Sequence, residues 1–236
     1  MEHIKGIIFD YGGTLDSHGI HWSEIIWTGY QAERLDNAIS KDVFREAYVY
    51  AERELARVRH ILPNDNFLDL LRKKVDIETA RLNETHSTSI TATQAENIAQ
   101  YCYRSARQCI DEARPVLQAL SERYPMMLVS NFYGNIDEVV RDFNIRHFFK
   151  GIIESAVVGI RKPNPTLFRL GVDALEMEPC EVLVVGDSLR KDILPAESLG
   201  CHVLWLKGKG WTPDEDALTH PCTITRLQQV LDMLTT

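Results

Sequence analysis

An apolar run that ends in a single aspartate and continues into a glycine pair constrains this chain more than any other feature. The run is Ile7-Ile8-Phe9-Asp10-Tyr11-Gly12-Gly13-Thr14. It predicts a buried strand that stops at Asp10 and then turns sharply. Ligands of open α/β sheets collect outside the carboxyl ends of the strands, so Asp10 is a candidate reaction centre. An isolated aspartate after a strand is more often a turn former or a helix N-cap. A catalytic role for Asp10 therefore requires other polar residues at the same edge of the sheet.

The remaining chain consists of a helical segment followed by a second α/β segment. Between about residues 21 and 110, apolar residues recur at helical spacing, and we predict four or five helices there. Beyond this segment, we predict strands near residues 126–129, 151–154, 181–187 and 202–206, with helices between them. We also predict that Pro115 opens a helix running to about residue 123.

Short apolar strands that alternate with helices predict a parallel sheet covered on both faces. The predicted fold class is therefore α/β, with a Rossmann-like parallel sheet core and an inserted α-helical cap domain. The core domain would comprise residues 1–16 and 112–236, and the cap domain residues 17–111. The cap would stand over the carboxyl edge of the sheet.

Polar side chains follow several of the predicted strands. Ser130 ends the second strand, and Lys162 lies after the third. Asp187 ends the strand near residues 181–187, and Asp192 lies five residues further on. Converging carboxylates repel one another unless a cation lies between them, and hard oxygen ligands suit Mg²⁺. A hydroxyl and an ammonium group opposite them suit an oxyanion such as phosphate. A carboxylate at such a site can act as nucleophile and form an aspartyl-phosphate.

These motifs together resemble the haloacid dehalogenase-like (HAD) superfamily of hydrolases with a type 1 helical cap. The resemblance rests on the run around Asp10, on Val129-Ser130-Asn131, on Lys162-Pro163 and on Val185-Gly186-Asp187-Ser188-Leu189-Arg190-Lys191-Asp192, which occur in the family's order. It implies that Asp10 is the nucleophile of a phosphatase. It also implies a magnesium site and a phosphate site. The metal residues would be Asp10, the carbonyl of Gly12, Asp187 and Asp192, and the phosphate-binding residues would be Ser130, Asn131, Lys162 and Thr14.

One position departs from the family's phosphatase pattern. Those enzymes usually carry a second aspartate, the general acid, two residues after the nucleophile, and this chain has Gly12 there. General acid–base catalysis contributes about 10²–10⁴ in rate, so efficient turnover should need leaving groups that require no proton. Alternatively, Asp16, His18 or His21 could replace the missing acid.

Other functions remain open. The dehalogenase branch also lacks the second aspartate, although it needs no metal site. A phosphonate hydrolase would need a cap lysine that forms a Schiff base, and we expect Lys41, Lys73 and Lys74 to be solvated instead. The last alternative is a protein that has lost efficient turnover and acts as a phosphate-ligand binding or regulatory protein. Substrate choice would lie with the cap, where Trp22, Trp27 and Tyr30 could line a pocket or form core.

The charge and hydropathy of the chain limit the classes of partner that it can bind. With 26 Lys and Arg against 34 Asp and Glu, the formal net charge is −8, which leaves no basic face for nucleic acid. No apolar run approaches the ~20 residues of a membrane span, and the first residues lack the apolar region of a signal peptide. We therefore expect a cytoplasmic protein without a membrane partner, a monomer or homodimer, that acts on a small phosphorylated molecule.

Overall fold

The computed structural model describes residues 3–235, and within that range one sheet of six parallel strands forms the centre of the protein. The strands are β1 (Gly6–Phe9), β2 (Met126–Ser130), β3 (Gly151–Glu154), β4 (Val182–Gly186), β5 (His202–Leu206) and β6 (Thr223–Ile224). Their order across the sheet is β3-β2-β1-β4-β5-β6. The strand order reverses between β1 and β4. In open α/β sheets, ligands generally bind outside the carboxyl ends of the strands at such a reversal. The predicted α/β class and the parallel sheet are confirmed.

Long helices lie between β1 and β2. They are α1 (Trp22–Ala32), α2 (Lys41–Arg57), α3 (Phe67–His86) and α4 (Ala92–Ser121). Shorter helices follow, namely α5 (Ile136–Asp142), α6 (Ser155–Val158), α7 (Thr166–Leu175), α8 (Leu194–Ser198), α9 (Pro213–Ala217) and α10 (Gln228–Thr235). A π-helical turn, Leu189–Ile193, precedes α8. No helix in the described part of the chain combines the length and the apolar character needed to cross a membrane.

Alternating residues of the strands belong to two apolar cores, one on each face of the sheet. Ile7 and Phe9 of β1 belong to a core that also contains Phe44 of α2 and Leu71 of α3. Ile8 faces the other side and packs in a second core with residues of α7 and α8. Because side chains alternate along a strand, an apolar strand such as β1 needs cover on both faces, and the helices provide it.

The helix starts are defined by side-chain caps. Asn66 and Asp69 form a reciprocal capping box at the start of α3, and Thr91 and Gln94 form another at the start of α4. Each box gives acceptors to backbone N–H groups that have no partner within the helix. The two boxes therefore fix where α3 and α4 begin.

The prediction for Pro115 is wrong. Pro115 lies inside α4, which runs without interruption from residue 92 to 121. A proline inside a helix costs about 3 kcal/mol. Here Ala113, Val116 and Leu117 are buried on either side of it, and their burial offsets that cost. Helix α4 thus runs across the predicted domain boundary at residues 111 and 112, and the division into core and cap stays a prediction.

Candidate active site

Side chains from separate strand ends meet at the carboxyl edge of the sheet. Asp10 directly follows β1, and Ser130 is the last residue of β2. The hydroxyl of Ser130 donates a hydrogen bond of 2.9 Å to Oδ1 of Asp10. The Lys162 ammonium donates to the same oxygen at 2.7 Å. One oxygen of the Asp10 carboxylate is therefore held by a hydroxyl and an ammonium group, both buried.

Lys162 bridges two carboxylates. Besides Asp10, its Nζ contacts Oδ1 of Asp192 at 2.7 Å. Burial lowers the pKa of Lys162, but the two carboxylates outweigh burial and leave the pKa above its ordinary value. The ammonium group therefore stays charged inside the protein.

The amide of Asn131 positions Lys162. Its Oδ1 accepts the Lys162 backbone N–H at 2.9 Å, and its Nδ2 donates to the Lys162 carbonyl at 3.1 Å. The family resemblance implied that Asn131 binds phosphate. In the structure, its amide holds the backbone of the lysine.

Three carboxylates form a compact cluster. Asp10, Asp187 and Asp192 each offer an oxygen, and these oxygens lie within 4.8 Å of one another. Burial and the charges of Asp192 and Asp10 hold the pKa of Asp187 well above its usual range. Burial also raises the pKa of Asp192, although Lys162 opposes the shift. The clustered carboxylates suit a hard divalent cation, which would remove their repulsion.

Thr14 lies between two members of this cluster. Its Oγ1 is 3.1 Å from Oδ1 of Asp187 and 3.3 Å from Oδ2 of Asp10. A hydroxyl has one proton, so Thr14 can donate to one of these carboxylates at a time. Thr14 thereby links the turn after β1 to the end of β4.

The glycines around the carboxylate cluster differ in whether a side chain could replace the glycine hydrogen. A Cβ on Gly13, whose φ is +96°, would lie 2.3 Å from the Asp187 carboxylate. A Cβ on Gly186 would lie 2.4 Å from Cβ of Asp192. Both positions need glycine so that the carboxylates can pack closely. At Gly12, in contrast, a Cβ meets nothing within 4 Å, so no contact excludes a side chain at the position of the missing acid.

The three candidate replacement acids have different environments. Asp16 is buried beside the cavity and accepts hydrogen bonds from the Gly13 N–H at 2.7 Å and the Trp22 indole at 3.1 Å. Burial raises its pKa to about 7, despite these hydrogen bonds. His21 also lines the cavity, and burial lowers its pKa to about 4, which leaves the ring neutral at pH 7. His18 instead lies 3.1 Å from Glu112.

A cavity of about 640 Å³ opens over the carboxylate cluster. This volume suits a small-molecule ligand. Its walls include Trp22, Phe132 and Tyr133, whereas Trp27 and Tyr30 are buried in the apolar core. Sequence reasoning therefore named Trp22 among possible pocket residues without being able to separate it from the other two.

The sequence did not predict that Glu52 and Lys74, two charged residues of the inserted helices, line this cavity. Lys74, expected to be solvated, is buried: its side chain is 5% exposed and pairs with Glu52 of α2. Lys74 follows Leu70 and Leu71 at helical spacing on the buried face of α3. A charged residue on an apolar stripe is the signal that could have identified it.

Comparison with known proteins places this site in context. The family model for haloacid dehalogenase-like hydrolases matches residues 4–200. The chain is 31% identical over 99 residues to glyceraldehyde 3-phosphate phosphatase of Pyrococcus furiosus, which is 41% of either chain. It is 31% identical over 141 residues to phosphoserine phosphatase of Thermus thermophilus, covering 58% of this chain and 56% of the relative. These matches span about half or less of the relatives' own length. A longer match, 25% identical over 209 residues, joins it to phosphoglycolate phosphatase of Vibrio cholerae and covers 86% of this chain and 84% of that one.

Solved structures share the fold. The putative HAD-hydrolase YfnB of Bacillus subtilis, bound to magnesium, has a TM-score of 0.63 at 18% identity, with 99% of this chain and 100% of that chain covered. A 2-haloacid dehalogenase of Pseudomonas syringae has a TM-score of 0.51 at 20% identity, with 98% of both chains covered. At these identities the likeness concerns the fold alone, which hosts more than one chemistry.

Proposed function

Because the chain belongs to the haloacid dehalogenase-like hydrolases, we propose that it is a magnesium-dependent phosphatase of a small phosphorylated metabolite. One observation carries the proposal. A hydroxyl and an ammonium group both bind one oxygen of Asp10, and two further carboxylates lie beside it. Such a site offers a nucleophile, donors for phosphoryl oxygens and ligands for a cation at one point. The relatives named as phosphatases agree with this reaction class.

The reaction would proceed in two displacements. The Asp10 carboxylate attacks phosphorus, and the bond between phosphorus and the leaving oxygen breaks with its electron pair on the leaving group. Water then attacks phosphorus of the aspartyl-phosphate, which releases inorganic phosphate and restores the Asp10 carboxylate. Ser130 and Lys162 would donate hydrogen bonds to the transferred oxygens as charge develops on them.

The carboxylate cluster and a backbone carbonyl would hold the metal. Asp10, Asp187 and the Gly12 carbonyl would be ligands, with Asp192 in support, and all of these are hard oxygen donors. Bound Mg²⁺ would neutralise negative charge on the phosphoryl group. Asp192 also accepts from Lys162, so the lysine and the metal ligands share one hydrogen-bonded network.

Gly12 limits the leaving group. Without an acid at that position, an alkoxide would have to leave unprotonated, which favours aryl and acyl phosphates. Asp16 is the better placed substitute, because its raised pKa keeps much of it protonated near neutral pH. Its two oxygens already accept hydrogen bonds from the turn and from Trp22, however, which restricts its motion toward a substrate.

The alternatives receive less support. A Schiff base on Lys74 would need a neutral amine, and Glu52 opposes the effect of burial so that the pKa of Lys74 lies well above its usual value. Dehalogenation would make no use of the clustered carboxylates around a cation. A binding protein with weakened catalysis would keep the same geometry. A cytoplasmic location and a monomeric or homodimeric state stay predictions.

Phosphate release from aryl, acyl and alkyl phosphates, with and without Mg²⁺, tests the proposal. We expect the wild type to turn over aryl or acyl phosphates only with Mg²⁺, and Asp10→Asn to lose at least 10³-fold in rate, roughly the loss from removing a catalytic nucleophile. Asp173→Asn, the same change on the exposed face of α7, should behave as wild type. Turnover that survives in Asp10→Asn would overturn the assignment of the nucleophile.

A further inference from the structure

A partly buried ion pair lines the cavity on the side of the inserted helices. Glu52 of α2 and Lys74 of α3 both border the cavity, and the Lys74 ammonium donates to Oε1 of Glu52. The Tyr133 hydroxyl lies 3.1 Å from each oxygen of the same carboxylate. Tyr133 follows β2 in the chain, so residues of the sheet and of the inserted helices together fix the position of Glu52. We refer to Glu52 and Lys74 as the cavity ion pair.

The cavity ion pair has unused hydrogen-bonding capacity. An ammonium group has three N–H donors. One is used on Glu52, and the ammonium lies 4.2 Å from the centre of the Tyr48 ring, whose face it meets. Within residues 3–235 no other hydrogen-bond acceptor is found for Lys74, which leaves a donor for a ligand. The Glu52 carboxylate has about four acceptor positions, and Lys74 and Tyr133 occupy two of them.

Glu52 is the more accessible member of the pair. Its side chain is 36% exposed, against 5% for Lys74. A ligand carboxylate that approaches Lys74 would therefore meet the negative charge of Glu52, and like charges in contact cost several kcal/mol. An ammonium group would compete with Lys74 for Glu52. A hydroxyl group can accept from Lys74 and donate to Glu52 without separating the two charges.

Four basic side chains also line the cavity. Arg190 and Lys191 lie in the π-helical turn shortly after Asp187, which is the phosphate side of the proposed reaction, and Lys207 and Lys209 both bind Asp216.

The aromatic side chains of the cavity suit an uncharged ligand. Trp22, Tyr48 and Phe67 present apolar ring surface to the same cavity, and the Tyr48 ring contacts the Lys74 ammonium. Aromatic faces pack well against the C–H groups of a hydroxylated carbon chain. His21, which also lines the cavity, adds no charge at neutral pH.

From this arrangement we infer that Glu52 and Lys74 select phosphate monoesters whose far end is uncharged and hydroxylated, and that Glu52 excludes those ending in a carboxylate. This inference rests on the proposed phosphatase activity, because it assigns the phosphate to the site at Asp10. It makes Glu52 a specificity-determining residue. The relatives named for phosphoglycolate and for phosphoserine act, by their names, on carboxylate-bearing esters, so this chain would differ from them in substrate.

The test compares three phosphate esters of three carbons as competitive inhibitors of aryl phosphate turnover. Glycerol 3-phosphate has an uncharged hydroxylated end, 3-phosphoglycerate ends in a carboxylate, and phosphoserine ends in a zwitterion. For the wild type, we expect glycerol 3-phosphate to inhibit at about tenfold lower concentration than either of the other two, or lower still. In Glu52→Gln, which keeps the size of the side chain and removes its charge, the preference over 3-phosphoglycerate should fall about tenfold or more.

A matched control lies on the same helix. Glu54 of α2 pairs with Arg57 and His60, and it does not border the cavity. Glu54→Gln makes the same chemical change and should leave the inhibition ratios as in the wild type. Equal inhibition by all three esters in the wild type, or an unchanged ratio in Glu52→Gln, would overturn the inference.

Failure of the proposed function would be distinguishable from failure of the inference. If the wild type hydrolyses no phosphate ester, the phosphatase proposal fails, and the same three esters are then titrated calorimetrically against the wild type and Glu52→Gln. Preferential binding of glycerol 3-phosphate that is lost in Glu52→Gln would still support the role of the cavity ion pair. Tighter binding of 3-phosphoglycerate or phosphoserine would refute it.

Discussion

Replacing Gly12 by aspartate should restore the missing general acid without disturbing the fold. A Cβ at residue 12 meets no atom within 4 Å, whereas one at Gly13 would lie 2.3 Å from Asp187. The two neighbouring glycines therefore differ sharply in tolerance, and Gly12→Asp should cost little stability. Nearby Asp10 and Asp187 would favour the protonated form of the new carboxyl group, which is the form that an acid requires.

The gain should depend on the leaving group. General acid catalysis is worth about 10²–10⁴ in rate, or about 3–5 kcal/mol of barrier. Gly12→Asp should therefore raise phosphate release from glycerol 3-phosphate by that factor in the presence of Mg²⁺. An aryl phosphate, whose leaving group needs no proton, should change by less than about tenfold.

Gly12→Asn is the matched control, because its amide has the same shape and no acidic proton. The assay is the initial rate of phosphate release from both substrates by the wild type and the two variants, after circular dichroism has shown that all three are folded. If Gly12→Asp is no faster than Gly12→Asn on glycerol 3-phosphate, the lack of an acid at residue 12 does not limit this enzyme.

Further predictions concern the metal, a buried acid and the replacement of the general acid. Mg²⁺ at 100 times its Kd should raise the free energy of unfolding of the wild type by about 2.7 kcal/mol, which corresponds to about 5–10 °C in Tm. Scanning calorimetry should find no such shift for Asp187→Asn. An equal shift in the variant would show that Asp187 is not a metal ligand. Burial raises the pKa of Glu78 to about 8, so the folded state keeps a proton that the unfolded chain loses near pH 4.5. The free energy of unfolding of the wild type should therefore fall as the pH rises from about 4.5 through 8. Measured by urea unfolding, the free energy of unfolding of Glu78→Gln should increase by about 3–5 kcal/mol relative to that of the wild type between pH 5 and pH 8. A difference between the two proteins that does not change with pH would contradict the shifted pKa. If Asp16 replaces the missing acid, Asp16→Asn should slow alkyl phosphates far more than aryl phosphates, while His18→Ala leaves that ratio unchanged; equal slowing of both substrates would indicate a structural role for Asp16.

The sheet was predictable because burial on both faces leaves a continuous apolar record in the sequence. The runs at β2, β3 and β5 match the observed strands to within a residue. Pro115 misled the prediction because a local rule about proline takes no account of the packing that surrounds α4. Strand β6, with two residues, is too short to leave a pattern.

The candidate site was predictable to the extent that it lies at strand ends. Asp10 and Asp187 directly follow strands, Ser130 is the last residue of a strand, and parallel strands bring their carboxyl ends to one edge. The part of the cavity formed by Glu52 and Lys74 depends on how two helices pack against each other and against Tyr133. Such contacts between distant segments cannot be derived from local spacing, although a lysine on the apolar stripe of α3 was a usable signal.

In the proposed reaction, Asp10 carries the phosphoryl group during turnover. We would quench the enzyme with acid during the hydrolysis of an aryl or acyl phosphate, treat it with borohydride and identify residue 10 by mass spectrometry. Borohydride reduces an aspartyl-phosphate to homoserine. We therefore expect homoserine at position 10 in the presence of substrate and Mg²⁺, and unmodified aspartate when either is omitted. Steady hydrolysis with only aspartate at position 10, and the modification at another residue, would contradict it.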